Sequence, residues 1–158
     1  MSIVLREMSR AAADAILAGG RPPDVTVADG YPTEFSAGVA QALGTGGFGQ
    51  FFLHRGDDDV VVGEIGGAFV DEDGTLEIGY AVVESQRNRG YATAAVSAVV
   101  EKAREAGDVK RVVAHTPPDR PESGRVLAKV GFANMGEVED DDSPMPVTEW
   151  QLSVATPS

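Results

Sequence analysis

The clearest periodicity in the chain runs from Ala92 through Ala95, Val96, Val99 and Val100 to Ala103. These apolar positions sit three or four apart and line one face of a helix, which Gly107 closes. Just upstream, Thr75-Leu76-Glu77-Ile78-Gly79-Tyr80-Ala81-Val82-Val83 is apolar and rich in β-formers, which predicts a strand. Two more strands are expected at 51–54 and 60–69, set off by the turn clusters Gly56-Asp57-Asp58-Asp59 and Asp71-Glu72-Asp73-Gly74. The middle of the chain therefore reads as antiparallel sheet. Residues 3–8 predict a first strand, and a short helix over 9–17 follows, with Ser9 as its N-cap and Gly19-Gly20-Arg21-Pro22-Pro23 breaking it. Phe35, Val39, Ala40 and Leu43 support a helix over 33–43, ended by Gly44, Gly46 and Gly47. A strand over 111–115, a helix capped by Asp119 and ending before Gly131, and a hairpin of 132–138 with 148–154 complete the pattern. On the last strand Trp150, Leu152 and Val154 alternate with Glu149, Gln151 and Ser153, so one face is expected to be buried.

Composition narrows the classes. With 158 residues, 42% hydrophobic content and no repeat or linker, residues 1–158 are expected to form one domain around one sizeable core. Cysteine is absent, which excludes disulfides, thiolate metal sites and a cysteine nucleophile. His54 and His115 are isolated from each other, so structural roles are expected and no metal site. Thirteen Lys and Arg against 25 Asp and Glu give a formal charge of −12, which argues against nucleic acid or an anionic membrane as partner. The same field would draw a cationic acceptor, though it would equally serve solubility alone. Nothing at the amino end has the charged-then-apolar build of a signal peptide, and no apolar run is long enough to cross a bilayer, so a cytoplasmic location is expected.

The junction between the central strand and the long helix carries the chemistry. Gln86, Arg87, Asn88, Arg89, Gly90, Tyr91, Ala92 and Thr93 put a glycine and several backbone amides where the helix opens. The first amides of a helix lack internal partners and lie at the positive end of its dipole, which suits them to phosphate oxygens. Arg87 and Arg89 add charge there, and Gly90 admits close approach. Standing alone, the segment would be a strand-to-helix turn with solvated arginines.

The spacing Arg87-x-x-Gly90-x-Ala92 resembles the pyrophosphate loop of the GCN5-related N-acetyltransferases. A second block, Glu122-Ser123-Gly124-Arg125-Val126-Leu127-Ala128-Lys129-Val130-Gly131-Phe132, resembles that family's later helix in its ribosomal-protein acetyltransferase branch. Blocks, order and spacing agree from about Gly63 to Phe132. The resemblance implies a single α/β (α+β) domain with a mixed, mostly antiparallel central sheet flanked by helices. It implies acetyl-CoA as co-substrate, transfer to a primary amine (a small amine or a protein N-terminus) by direct attack, and no metal. A homodimer is left open.

It also implies residue roles. Acetyl-CoA would be held at Val82, Val83, Arg87, Asn88, Arg89, Gly90, Tyr91, Ala92, Thr93 and Ser123, with the backbone of Val82 and Val83 pairing with the pantetheine arm. The Val82 amide would support the oxyanion. Glu77 would remove the amine proton, with Glu149 a second base candidate, and Ser123 would touch the cofactor or protonate the thiolate. Each has a plainer alternative: Val82 and Val83 as core, Glu77 and Glu149 as solvated strand positions, Ser123 as part of its helix's first turn. Arg120 stands where relatives carry asparagine, and Leu127 where many carry a tyrosine acid. That departure keeps a second function open, an acetyl-CoA-binding sensor or interaction domain with weak turnover. The acidic run Glu137, Glu139, Asp140, Asp141 and Asp142 would line the acceptor entrance or be a solvated loop.

Overall fold

A computed structural model describes residues 3–33, 35–140 and 144–154. One seven-stranded sheet runs through it in the order β1-β2-β3-β4-β5-β7-β6, built from β1 (Ile3–Glu7), β2 (Gly47–Arg55), β3 (Val61–Phe69), β4 (Thr75–Val82), β5 (Arg111–Thr116), β6 (Ala133–Val138) and β7 (Val147–Ser153). Among the seven described strands only β4 and β5 pair in parallel, as the helical crossover between them requires. The fold is α+β, as expected.

Alternation along the strands sorts side chains into two cores. Leu53, Ile65, Leu76, Ile78 and Val82 pack on one face against Ala95, Val96, Val99 and Val100 of α3 (Tyr91–Ala106) and Leu127 of α4 (Pro121–Val130). On the other face Phe52, Val61 and Val83 meet Ala12, Ala13 and Ile16 of α1 (Arg10–Leu17), together with Val39 and Ala40 of α2 (Ser36–Gln41). Ser9 caps α1 as predicted, its Oγ accepting the Ala12 N–H at 3.1 Å. Gly107 ends α3 in the left-handed region at φ 79°.

Three boundaries move. The second helix is shorter than 33–43 because Ser36 Oγ accepts the Thr33 N–H and Thr33 Oγ1 accepts the Phe35 N–H. These local bonds give the backbone an alternative to helix. Asp119 is not the cap of α4: the helix begins one residue later, after Arg120, with Pro121 in its first turn. Strand β2 extends well beyond 51–54 because both neighbours, β1 and β3, pair with it.

Candidate active site

The parallel pairing of β4 with β5 runs from Thr75↔Arg111 to Ile78↔Ala114 and stops there. Beyond it β4 stays with β3 as far as Val82, while β5 stays with β7 as far as Thr116. A wedge therefore opens in the middle of the sheet. The Val83 N–H donates to the Val62 carbonyl at 2.8 Å, and by alternation the backbone groups of Tyr80 and Val82 turn the other way, into the wedge. The Val82 carbonyl accepts Arg87 Nε at 3.0 Å, and the Val83 carbonyl accepts the Gln86 N–H at 2.9 Å. Of the two valines, Val82 offers its amide to the wedge, while Val83 has both backbone groups engaged within the chain.

A cavity of about 1080 Å³ passes through this wedge and reaches both faces of the sheet. At one end lie Gln86, Arg87, Asn88, Gly90, Tyr91, Ala92 and Thr93. Gly90 is the N-cap of α3, held at φ 82° with no side-chain cap on the helix amides, and a Cβ placed on it would meet nothing within 4 Å. No described residue fills the space at Gly90, so the loop fits a bulky anion such as a pyrophosphate. Arg89 is exposed and outside the cavity wall. Helix α4 adds Ser123, Arg125, Val126 and Lys129 to the same end.

Tyr80 ties the two sides of the wedge together. Its buried hydroxyl donates to the Ser123 carbonyl at 3.1 Å. Burial pushes the Tyr80 pKa up, against the opposing effect of its hydrogen bond to Ser123, so the hydroxyl keeps its proton through the neutral range. At the mouth, the Arg120 guanidinium lies 5.8 Å from the centre of the Phe35 ring, linking the starts of α4 and α2.

The opposite end is lined by Phe35, Gly38, Val39 and Ala42 around α2 and by Gly66, Ala68, Glu77, Gly79 and Ala81 from the sheet. Gly66 and Gly79 are cross-strand partners, yet only the space above Gly66 is filled, by the Gln50 side chain. A Cβ at Gly79 would meet nothing within 4 Å, so the floor there is open. Beneath α2, Glu64 is fully buried. Its Oε1 accepts the hydroxyls of Ser36 and Thr33, and its Oε2 has no partner among the described residues. Burial raises the Glu64 pKa to about 7 against the pull of those two hydroxyls.

Glu77 and Glu149 meet through a residue expected to be structural. His115 Nδ1 lies 3.0 Å from Glu77 Oε1, and its Nε2 lies 3.2 Å from Glu149 Oε1. The other histidine, His54, bonds through Nδ1 to the Asp59 carbonyl at 2.9 Å. Asp140 lines the cavity, whereas Asp141 and Asp142 lie outside the described residues. Sequence reasoning missed Glu64, His115, Arg125 and Lys129. The only available signal was the i, i+4 spacing of Arg125 and Lys129, which puts both on one helix face.

Residues 2–133 match the model of a family described as Acetyltransferase (GNAT) domain. The uncharacterized N-acetyltransferase YjdG of Bacillus subtilis (strain 168) is 34% identical over 92 residues, covering 56% of this chain and 54% of that protein. The chain thus spans about half the length of the curated relatives it matches. Among solved structures, a GNAT superfamily phosphinothricin acetyltransferase (Pat) from Sinorhizobium meliloti in complex with AcCoA superposes with a TM-score of 0.71. Its identity is 16%, over 98% of this chain and 90% of that one. A spermidine N-acetyltransferase SpeG chimera from Vibrio cholerae and hSSAT gives a TM-score of 0.70 at 10% identity, over 98% and 96% of the two chains. Likeness at such low identity speaks for the fold.

Proposed function

The chain belongs to the acetyltransferase (GNAT) domain family, and from that premise we propose that it transfers the acetyl group of acetyl-CoA to a primary amine by direct attack. The observation that carries this reading is one continuous cavity through the β4–β5 wedge, with uncapped helix amides at one end and a carboxylate at the other. Acetyl-CoA would supply an activated acyl thioester. The backbone amides from Asn88 to Thr93 would bind its pyrophosphate, with Arg125 and Lys129 of α4 at the same end for further phosphate charge. The Val82 amide, turned into the wedge, would support the oxyanion. The amine must lose a proton to attack, and Glu77 on the acceptor face would take it through water. The nitrogen then bonds to the acyl carbon, the carbon–sulfur bond breaks, and the thiolate leaves near Ser123 and the protonated Tyr80 hydroxyl, taking up the second proton from nitrogen. The whole chain would act as one domain. The block from Glu122 to Phe132 supports a place beside the ribosomal-protein acetyltransferases, which keeps a protein N-terminus among the acceptors along with small amines. The overall charge favours cationic ones.

Gly90→Asp tests the anion cradle without crowding it, because the space is open and Asp tolerates the left-handed region better than most residues. Acetyl-CoA at about 100 times its Kd should stabilise the parent by about 2.7 kcal/mol, seen as a raised thermal midpoint. The variant should fold with a midpoint lowered modestly by the left-handed backbone at this position, and it should lose the ligand-induced rise, because its carboxylate repels the phosphates. A parent whose midpoint ignores saturating acetyl-CoA would overturn the assignment.

A further inference from the structure

Glu77, His115 and Glu149 come from three neighbouring strands. His115 and Glu149 are direct cross-strand partners on β5 and β7, and Glu77 on β4 stands diagonally across from His115, opposite Val113. Their side chains are only partly exposed, 42% for Glu77, 24% for His115 and 26% for Glu149. A second, shallower cavity of about 660 Å³ lies on the same sheet face, outside the first. Glu77 and His115 line both cavities, and Glu149 lines the outer one alone. The three side chains thus form the partition between the acceptor site and an opening to solvent.

We propose that this partition is a proton relay, in which Glu77 passes the amine proton to His115 Nδ1 and Glu149 holds the ring ready to receive it. The proposal rests on the acetyl-transfer reading given above. A carboxylate alone is a weak acceptor for an ammonium proton, whereas an imidazole is a stronger base and becomes a stable cation beside two carboxylates. In the relay Glu149 Oε1, 3.2 Å from Nε2, would accept the Nε2–H and leave the Nδ1 lone pair facing Glu77. Gln151 Nε2 donates to Glu149 Oε2 at 3.1 Å and steadies that carboxylate. Protons balance: of the two protons an ammonium loses in becoming an amide, the second goes to the departing thiolate as the carbon–sulfur bond breaks, and the first, given up as the carbon–nitrogen bond forms, goes to Glu77 and then to Nδ1. It returns through Glu77 to water in the outer cavity, so the ring resets without turning over. His115 and Glu149 act through Glu77 and are positioning residues.

The other charged and polar groups on this part of the face are Thr75 from β4, Gln151 from β7, Arg111 from β5 and Asp71 at the edge, with Asp140 across the inner cavity. Arg111 Nη1 is occupied by Thr75 Oγ1 at 2.6 Å, so Glu77 and Glu149 are the groups that set the charge of the ring. Burial by itself pulls the His115 pKa down. The hydrogen bonds and charges of Glu77 and Glu149 outweigh it and hold the group above 6.5.

The test pairs kcat–pH profiles with an NMR titration of the His115 ring, using acetyl-CoA and the best acceptor amine. In the parent, the acidic limb of kcat should coincide with the His115 titration. Glu149→Gln should move both to lower pH and reduce the plateau about tenfold, with Glu149→Asp restoring most of it. His115→Asn should abolish that limb and lower kcat by about a hundredfold, with the KM for acetyl-CoA unchanged. A fully active His115→Asn, or a kcat limb that stays in place while the ring titration moves, overturns the relay and leaves acetyl transfer standing. A parent that acetylates no amine overturns the reaction and the relay together.

Discussion

Gly79 shows how one residue can decide what the proposed acceptor site would admit. Its Cα faces the inner cavity beside Gly66, and a Cβ there would meet nothing within 4 Å among the described residues, so a larger side chain would extend into the proposed substrate space. Gly79→Val should raise the acceptor KM at least roughly tenfold, because a few methyl groups in a shaped pocket are worth that much. Steady-state kinetics against both substrates is the check, and the affinity for acetyl-CoA and the thermal midpoint should hold. The glycine was legible as part of a strand, but its open side was not, since that depends on Gln50 reaching over Gly66 alone. His115 was unreadable for a similar reason. In sequence it is 38 residues from Glu77 and 34 from Glu149, and only the β4-β5-β7 order brings the three together.

Among the elements, α2 depends most on a group that the sequence hid. Its start is pinned to β3 through Ser36, Thr33 and the buried Glu64, and the helix forms one wall of the acceptor end. Glu64 has a folded pKa of about 7 against an ordinary value of 4.5. Between those values the native state binds more protons than the unfolded chain, so stability falls as pH rises, with the penalty complete above pH 7. The difference corresponds to roughly 3 kcal/mol. Glu64→Gln stays neutral throughout and should remove this step, leaving the variant more stable than the parent at pH 8 and similar to it near pH 4.5. Thermal or urea melts across that range measure the difference, and parallel curves would contradict it. The longer elements were legible because their periodicity spans several turns, as in α3. The start of α2 was not, because side-chain bonds to backbone compete with helix where apolar spacing alone reads as helix. At α4, Pro121 outweighed the capping residue Asp119.

At the scale of the whole molecule, the fold was legible through two short blocks of residues whose resemblance to the GCN5-related N-acetyltransferases implies a strand, a loop and two helices around one sheet. The wedge that the fold creates was implied only by resemblance, since nothing in local propensity says that β4 and β5 part after four paired residues. No described helix is long and apolar enough to cross a membrane. With 13 basic residues against 25 acidic, the proposed reaction would favour a cationic acceptor, and that preference should weaken as salt is added. The most direct measurement is therefore thiol release from acetyl-CoA against a panel containing a polyamine, an aminoglycoside, a neutral small amine and a peptide with a free N-terminus, with mass spectrometry of each product. At least one amine should gain a single acetyl group in step with one thiol released, with the cationic members reacting faster at low ionic strength. Binding of acetyl-CoA with no acetylated product from any member would contradict the account and leave a cofactor-binding domain in its place.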